Sequence, residues 1–408
     1  MKIILIHNFY GSEAPSGENS VYEAEKDLLI RNGNQVIEVT RDSDEIRKQG
    51  IWGAIKGAFA YLWSPFSFRN IKETILSEEP DIIHVHNMFP LISPSVFFAA
   101  NKTDTPIVFT LHNYRLFCAS GIPLRDGLPC TLCLDQSSTW PSLRYGCYRG
   151  SRFATLPLAA SIALHRKMKT WESKVDAFIT LTDFQRDVMF NAGLPLTKLI
   201  TKPHFYSNAS APIDFTKRDD HIIFVGRLSE EKGVKFLIQS WVIWGEKAPV
   251  LDIVGEGPLG EKLRVLVEES DLHGKVIFHG KVSYDETQKL IAKSKMLVLP
   301  SICFEGFPMV IREAFALGVP VAASRLGSMS CLVEEDLNGI LFSPGDPRDM
   351  YNVLKCAWEE KFKLESMAKD AFHEYQQKYT EKSNYKRLIE IYKIAINRKS
   401  TRGRDEVS

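Results

Sequence analysis

Two successive series of short apolar runs, with amphipathic stretches between the runs, constrain this chain more than any other feature. The first series falls at 3–6, 35–39, 81–85, 107–111 and 177–181. The second falls at 222–225, 250–254, 276–278, 296–299 and 319–322. Between the runs, 20–31, 234–244, 260–270 and 285–293 repeat apolar residues at helical spacing. Runs that are largely continuous and apolar are covered on both faces, as parallel strands between helices are. The pattern predicts an α/β chain of two doubly wound, Rossmann-like domains.

A polar stretch without a clear period, 208–220, holds the predicted boundary. It separates an N-terminal domain at 1–207 from a C-terminal domain at 208–380. One more helical pattern follows at 381–397, and a charged tail at 398–408 is expected to fray. Lys and Arg number 51 against 50 Asp and Glu, a net charge of +1. No global excess draws such a chain to nucleic acid, so any anion site must be local. No apolar run approaches the ~18 to 20 residues of a membrane span. The run 3–6 ends at His7-Asn8, too soon for a signal-peptide core, and a cytoplasmic protein is expected. Seven cysteines, an odd number without an export signal, predict free thiols or metal ligands rather than disulfides.

The densest chemistry lies in SICFEGFPMVIRE at 301–313. Glu305 falls in a loop at a strand's carboxyl end. Pro308 suits the first turn of the next helix, and Glu313 lies one to two turns inside it. The N–H groups of Phe307, Met309 and Val310, just after Gly306, would point out of that helix and attract phosphate. Two neighbouring carboxylates there could accept from sugar and ribose hydroxyls. The plainer alternative is a Glu305 that offsets the helix dipole and a solvated Glu313.

A second segment, FVGRLSEEKG at 224–233, ends a strand at Gly226 and places Arg227 and Lys232 at the sheet edge where open α/β sheets bind ligands. A planar fork and a point charge together suit a diphosphate; two solvated cations flanking Glu230-Glu231 are the alternative. The spacing Gly255-x-Gly257-x-x-Gly260 fits the dinucleotide fingerprint. However, it sits in the second unit of its domain, and the next strand ends His279-Gly280 without the acid that a ribose needs. It reads as a tight strand-to-helix turn. In the first domain, Gly17 opens a helix where another molecule could approach the backbone, with Ser16 as a helix cap the competing reading. His112 ends a strand at the same edge.

Taken together these segments resemble the family 4 retaining glycosyltransferases of the GT-B fold, over nearly the whole chain. The marks are Glu305-x7-Glu313, Gly226-Arg227-x4-Lys232 and the glycine turn at 255–260, in this order. The resemblance implies two Rossmann-like domains facing across a cleft and a nucleotide-diphosphate sugar held mainly by the second. Arg227 and Lys232 would grip the diphosphate, and Glu313 the ribose. Glu305 and the N–H groups after Gly306 would hold the donor sugar. Gly17 would lie over the phosphates, His112 near the donor sugar and Val282 at the nucleobase, and helix 381–397 would cross back to the first domain. Glu305, Arg227, Lys232 and His112 are the expected catalytic set. Two cations and a helix N-terminus can stabilise a departing diphosphate. The sequence is read as holding no Asp-x-Asp metal-binding motif, so metal-independent hexosyl transfer with retention, needing no cofactor, is expected. The acceptor would be a glycan or a polyprenyl-linked oligosaccharide in cell-surface polysaccharide assembly. A sugar-nucleotide epimerase of the same fold and a non-catalytic sugar-nucleotide-binding protein are the competing functions.

The first domain also carries an insertion at about 113–150 containing Cys118, Cys130, Cys133 and Cys147, spaced C-x11-C-x2-C-x13-C. A C-x2-C pair flanked by two thiols resembles a tetrahedral structural zinc site; four unconnected thiols are the alternative. Residues 144–174 hold seven Lys and Arg against one Glu, interleaved with Phe153, Leu156 and Leu164. Residues 51–68 are rich in aromatics, including Trp52, Phe59, Tyr61, Trp63 and Phe66. Basic and aromatic segments together suit an anionic membrane surface and predict peripheral docking on its inner face; core helices with solvated flanks are the alternative.

Overall fold

The computed structural model describes residues 1–11, 17–207 and 211–405, without the side chains of 47, 51, 52, 54–56, 59 and 402–405. Ser16, Asn208, the end of the tail and the side chains of Trp52 and Phe59 lie outside the described residues. Contacts divide the chain into two units. One comprises Met1–Pro123, Thr131–Pro203 and Asn384–Ser408, and the other Leu124–Cys130 and His204–Ser383.

In the first unit lie β1 (Lys2–Phe9), β2 (Gln35–Asp42), β3 (Ile82–Asn87) and β4 (Ile107–Thr110); next in the chain comes a hairpin of β5 (Leu124–Arg125) and β6 (Leu128–Pro129), outside that unit. Strands β7 (Ala177–Thr180) and β8 (Leu199–Thr201) complete the sheet. Its order is β2-β1-β3-β4-β7-β8, all parallel. Strands β3, β4 and β7 are buried at every residue, as largely apolar strands covered on both faces are, although β3 includes His84, His86 and Asn87. Leu388, Ile391, Tyr392 and Ala395 of the helix Glu381–Asp405 pack with Ile3, Leu5 and Ile82 in one core. The hairpin lies inside the cysteine-bearing insertion, but its segment groups with the second unit rather than the first. Asp126 and Gly127 both have positive φ, 53° and 74°, the backbone that a two-residue hairpin turn selects.

In the second unit, β9 (Asp219–Val225), β10 (Val250–Val254), β11 (Val276–Gly280), β12 (Ser294–Leu299), β13 (Val321–Ser324) and β14 (Gly339–Phe342) form a parallel sheet. Its order is β11-β10-β9-β12-β13-β14. This is the doubly wound order, and its strand order reverses between β9 and β12, where such sheets take ligands at the carboxyl ends. The predicted run at 319–322 begins as strand only at Val321, because Pro320 has no N–H for a ladder.

Candidate functional site

The loops after β9, β10 and β12 converge by backbone chemistry in the second unit. Gly226 N–H donates to Val254 O at 3.0 Å, Leu228 N–H to Glu256 O at 3.0 Å and Ile302 N–H to Glu231 O at 2.9 Å. The glycines at 255 and 257 permit this closeness. A Cβ on Gly255 would stand 2.0 Å from Gly226 O, one on Gly257 2.4 Å from Leu228 O, and Gly255 has φ +132°. The G-x-G-x-x-G run is therefore packing chemistry between loops. Gly233, at φ +67°, carries the chain past Pro300 O, which a Cβ would meet at 2.0 Å.

On this platform Lys232 Nζ donates to Glu305 Oε1 at 2.7 Å, and Ser301 Oγ donates to the same oxygen at 2.7 Å. The Lys232 side chain is 23% exposed and Glu305 14%. Burial works against the ammonium, but the neighbouring Glu305 outweighs it and raises the Lys232 pKa. Lys232 therefore meets the loop carboxylate rather than standing solvated beside Glu230-Glu231. Arg227 is exposed one residue beyond half-buried Gly226. The helix Met309–Ala316 starts one residue after Pro308, which is its cap rather than part of its first turn. Ser328 Oγ donates to Gly306 O at 3.1 Å and ties down the approach to that helix. The Phe307 ring is buried against His204 and Tyr379, at 5.4 and 6.2 Å between centroids, so only its backbone can face a ligand. Met309 and Val310 are half-buried in the first turn, where helical N–H groups have no intrahelical partner.

Glu313 is not a solvated helix residue. Gln288 Nε2 donates to its Oε2 at 3.0 Å, and Tyr206 OH donates to Gln288 Oε1 at 2.9 Å. Burial pushes the Glu313 carboxyl up, against Arg312 and the Gln288 bond. Gln288 and Tyr206 escaped the sequence reading because a lone Gln on an amphipathic helix and a lone Tyr carry no spacing signal. Val282 is half-buried just after β11, where the Lys281 N–H donates to Glu256 Oε1 at 3.4 Å.

In the first unit, Gly17 is exposed at the first position of the helix Gly17–Arg31. Its neighbour Glu18 accepts from Asn113 Nδ2 at 2.9 Å. His112 lies on the loop after β4, its Nε2 3.2 Å from His86 Nδ1. His86, His112, Asn113 and Arg115 line one pocket. Behind His86 lie His84, Glu25 and Lys202, each at most 2% exposed. A signal for this group was present. His84 and His86 interrupt an apolar strand at a period of two, and Glu25 occupies the apolar face of its helix among Tyr22, Leu28 and Leu29.

Among the described residues, Glu25, His84 and His86 form the one group of three or more metal-ligating side chains whose ligand atoms lie within 4.8 Å of one another. Cys118, Cys130, Cys133 and Cys147 are half-buried thiols and do not make such a group. Cys130 belongs to the second unit and the other three to the first. The Asp-x-Asp spacing read as absent does occur, at Asp42-Ser43-Asp44. There the Asp44 N–H donates to Asp42 Oδ1 at 2.8 Å and closes the turn after β2. The aromatic stretch after Gly50 is in part interior: Tyr61 stacks on Phe89 at 5.0 Å and Trp63 meets Phe98 at 4.8 Å, leaving Phe66 exposed.

Two family profiles cover most of the chain. Residues 19–204 match glycosyltransferase family 4 and residues 207–371 match glycosyl transferases group 1. The chain belongs to the family 4 glycosyltransferases. An uncharacterized glycosyltransferase of Methanocaldococcus jannaschii is 31% identical over 177 residues, 43% of this chain and 45% of that one. The lipopolysaccharide 1,6-galactosyltransferase of Escherichia coli K12 is 26% identical over 244 residues, 58% of this chain and 66% of the relative. The chain thus spans roughly half to two thirds of these relatives' length. Anabaena HepE, crystallised with UDP, superposes over 96% of this chain and 99% of its own, with a TM-score of 0.66 at 19% identity. The likeness places this family member in the GT-B fold.

Proposed function

We propose that this protein transfers a hexosyl unit from a nucleotide-diphosphate sugar to a glycan or polyprenyl-linked acceptor in cell-surface polysaccharide assembly. The observation that carries the reading is the convergence of Arg227, the Lys232–Glu305 pair and the start of the helix Met309–Ala316 at the point where the sheet order reverses. Breaking a sugar–phosphate bond leaves a nucleoside diphosphate and an oxocarbenium-like centre. Arg227, Lys232 and the N–H groups of Met309 and Val310 would take up the negative charge of the leaving group, the electrostatic task that weighs most in such a transfer. Glu305, already accepting from Lys232 and Ser301, would bring its second oxygen to the donor sugar. Glu313, held by Gln288, would accept from the ribose and Val282 would meet the base; Gly17 and His112 are the first unit's candidates for donor contact. Two cations and a helix end can do this work without a divalent ion, and retention of the anomeric configuration is what the family resemblance implies. Inhibition by a chelator would count against metal independence.

The relatives' names support the polysaccharide setting. The galactosyltransferase acts on lipopolysaccharide, and another relative is an amylovoran biosynthesis glycosyltransferase of Erwinia amylovora. No described helix is long and apolar enough to cross a membrane. The membrane reading, docking on the inner face of the cell membrane, rests on Phe153 at 91% and Trp140 at 69% exposure. Arg144, Arg149 and Arg152 are their neighbours in sequence. The zinc reading rests on cysteine spacing alone. One equivalent of zinc per chain, lost in Cys133→Ser, is its test, and a metal-free preparation ends it.

The deciding experiment is thermal unfolding with UDP-glucose, GDP-mannose and ADP-glucose. A donor at 100 times its dissociation constant adds about 2.7 kcal/mol. One donor should raise the unfolding temperature of the wild-type chain and lose that effect in Arg227→Ala. Turnover unchanged in Arg227→Ala would overturn the assignment, since loss of such a group costs about 2 to 4 kcal/mol of transition-state stabilisation.

A further inference from the structure

Glu25 is a carboxylate at the centre of the first unit, with a side chain 2% exposed. Lys202 Nζ donates to its Oε2 at 2.7 Å and to Asn384 Oδ1 at 3.2 Å. Burying two charges costs several kcal/mol per ion, and an apolar pair of the same volume is often at least as stable. The arrangement therefore asks for a role other than stability. Its free side points toward the pocket. Glu25 Oε1 lies 3.1 Å from His86 Nε2 and 3.3 Å from His84 Nδ1. His84 is engaged at both nitrogens, by Tyr392 OH at 2.8 Å and Thr110 Oγ1 at 2.7 Å. His86 turns its other nitrogen to His112, with the rings stacked at 5.3 Å. A metal ion at Glu25, His84 and His86 is not the reading, because the Lys202 ammonium already supplies the cation that Glu25 faces.

The protons in this row can be counted. Glu25 Oε1 and His86 Nε2 stand 3.1 Å apart without the alignment of a hydrogen bond; a lone pair on Nε2 would repel the carboxylate, so the hydrogen sits on that nitrogen. Burial opposes the charged form of Glu25, but Lys202, His86 and His84 outweigh it and hold the carboxyl well below its ordinary range. In its neutral form an imidazole has one N–H, and His86 Nδ1 then accepts. The nitrogen opposite it, His112 Nε2, must then donate.

We propose that Glu25 and His86 are positioning residues that act through His112, fixing its hydrogen on Nε2 and making Nδ1 the accepting nitrogen of that ring. The importance of His112 for transfer rests on the proposed function; its tautomer does not. The relay thus sets which hydrogen-bonding partners His112 can take from an element whose buried end lies among Lys202, Asn384 and Tyr392.

The test is the nitrogen spectrum of the full chain made with isotope-labelled histidine, assigned through His86→Gln and His112→Gln. Near neutral pH both rings should appear as single Nε2–H tautomers. In Glu25→Gln, whose amide can offer either a donor or an acceptor, both rings should become tautomer mixtures. Glu25→Gln with Lys202→Met keeps the buried charge balanced if the single variant does not fold. A wild-type His112 carrying its hydrogen on Nδ1, or a His112 signal unchanged in a folded Glu25 variant, overturns the proposal. Because the spectrum is read without donor, failure of every sugar nucleotide to bind would sink the functional reading and leave the tautomer result standing.

Discussion

His7 shows how one buried side chain makes the first unit acid-sensitive. It is fully buried on β1, stacks on Tyr22 at 4.6 Å between ring centroids and donates from Nε2 to Asn19 Oδ1 at 2.9 Å. Burial pushes its pKa down to about 4, with the Asn19 bond working the other way. Between that value and the unfolded value of about 6.5, the unfolded chain binds the extra proton, so stability falls as pH falls. The His7 contribution should be intact above about pH 6.5 and lose on the order of 3 kcal/mol by about pH 4, at 1.36 kcal/mol per unit. Thermal unfolding at a series of pH values should show this slope, and His7→Gln, which keeps a partner for Asn19, should flatten it. At the same scale, Lys232→Met and Glu305→Gln should each destabilise by roughly 1 to 3 kcal/mol, since each leaves a partly buried charge without its partner. The double variant should lose less than the two singles added, by the coupling of residues in direct contact.

Elements show where chemistry is written in the chain and where it is not. The glycine turn after β10 is one case: Gly255→Ala combines a left-handed φ with a Cβ 2.0 Å from a backbone oxygen. It should lower stability by about 2 kcal/mol or more and loosen the loop that carries Arg227. A circular-dichroism melt together with donor titration would read both effects. The central strands were legible because each carries a short, largely apolar run. The edge strands β8 and β14 were not, since three or four residues ending against Thr201 or Ser343 give no period to read. Glu305, Lys232 and Arg227 were legible through their spacing around strand ends. Their pairing was not, because it depends on loops 73 residues apart meeting through Gly233 and Ile302. The helix Arg152–Lys167 divides in the same way. Leu158 and Ile162 are buried, while Phe153 and Leu156 face solvent. Phe153→Ser with Trp140→Ser should reduce sedimentation with anionic vesicles several-fold and leave donor-induced stabilisation unchanged.

At the scale of the whole molecule, a unit need not be continuous in sequence. The first unit draws its core from residues near Met1 and from Leu388, Ile391, Tyr392 and Ala395. Removing 384–408 should cost about 5 to 9 kcal/mol from Leu388, Ile391 and Tyr392 alone, at ~1.5 to 3 kcal/mol per buried side chain. Against the ~5 to 15 kcal/mol that holds a typical domain together, the truncated first unit should lose cooperative unfolding in calorimetry. The second unit, nearly continuous from His204 to Ser383, should keep its own transition. That discontinuity bears on synthesis. As the polypeptide leaves the ribosome, the half begun first has to wait for its last helix, while the half begun second can close beforehand. Nascent chains stalled before Asn384 would then expose the unfinished side of the first sheet to chaperones and proteases.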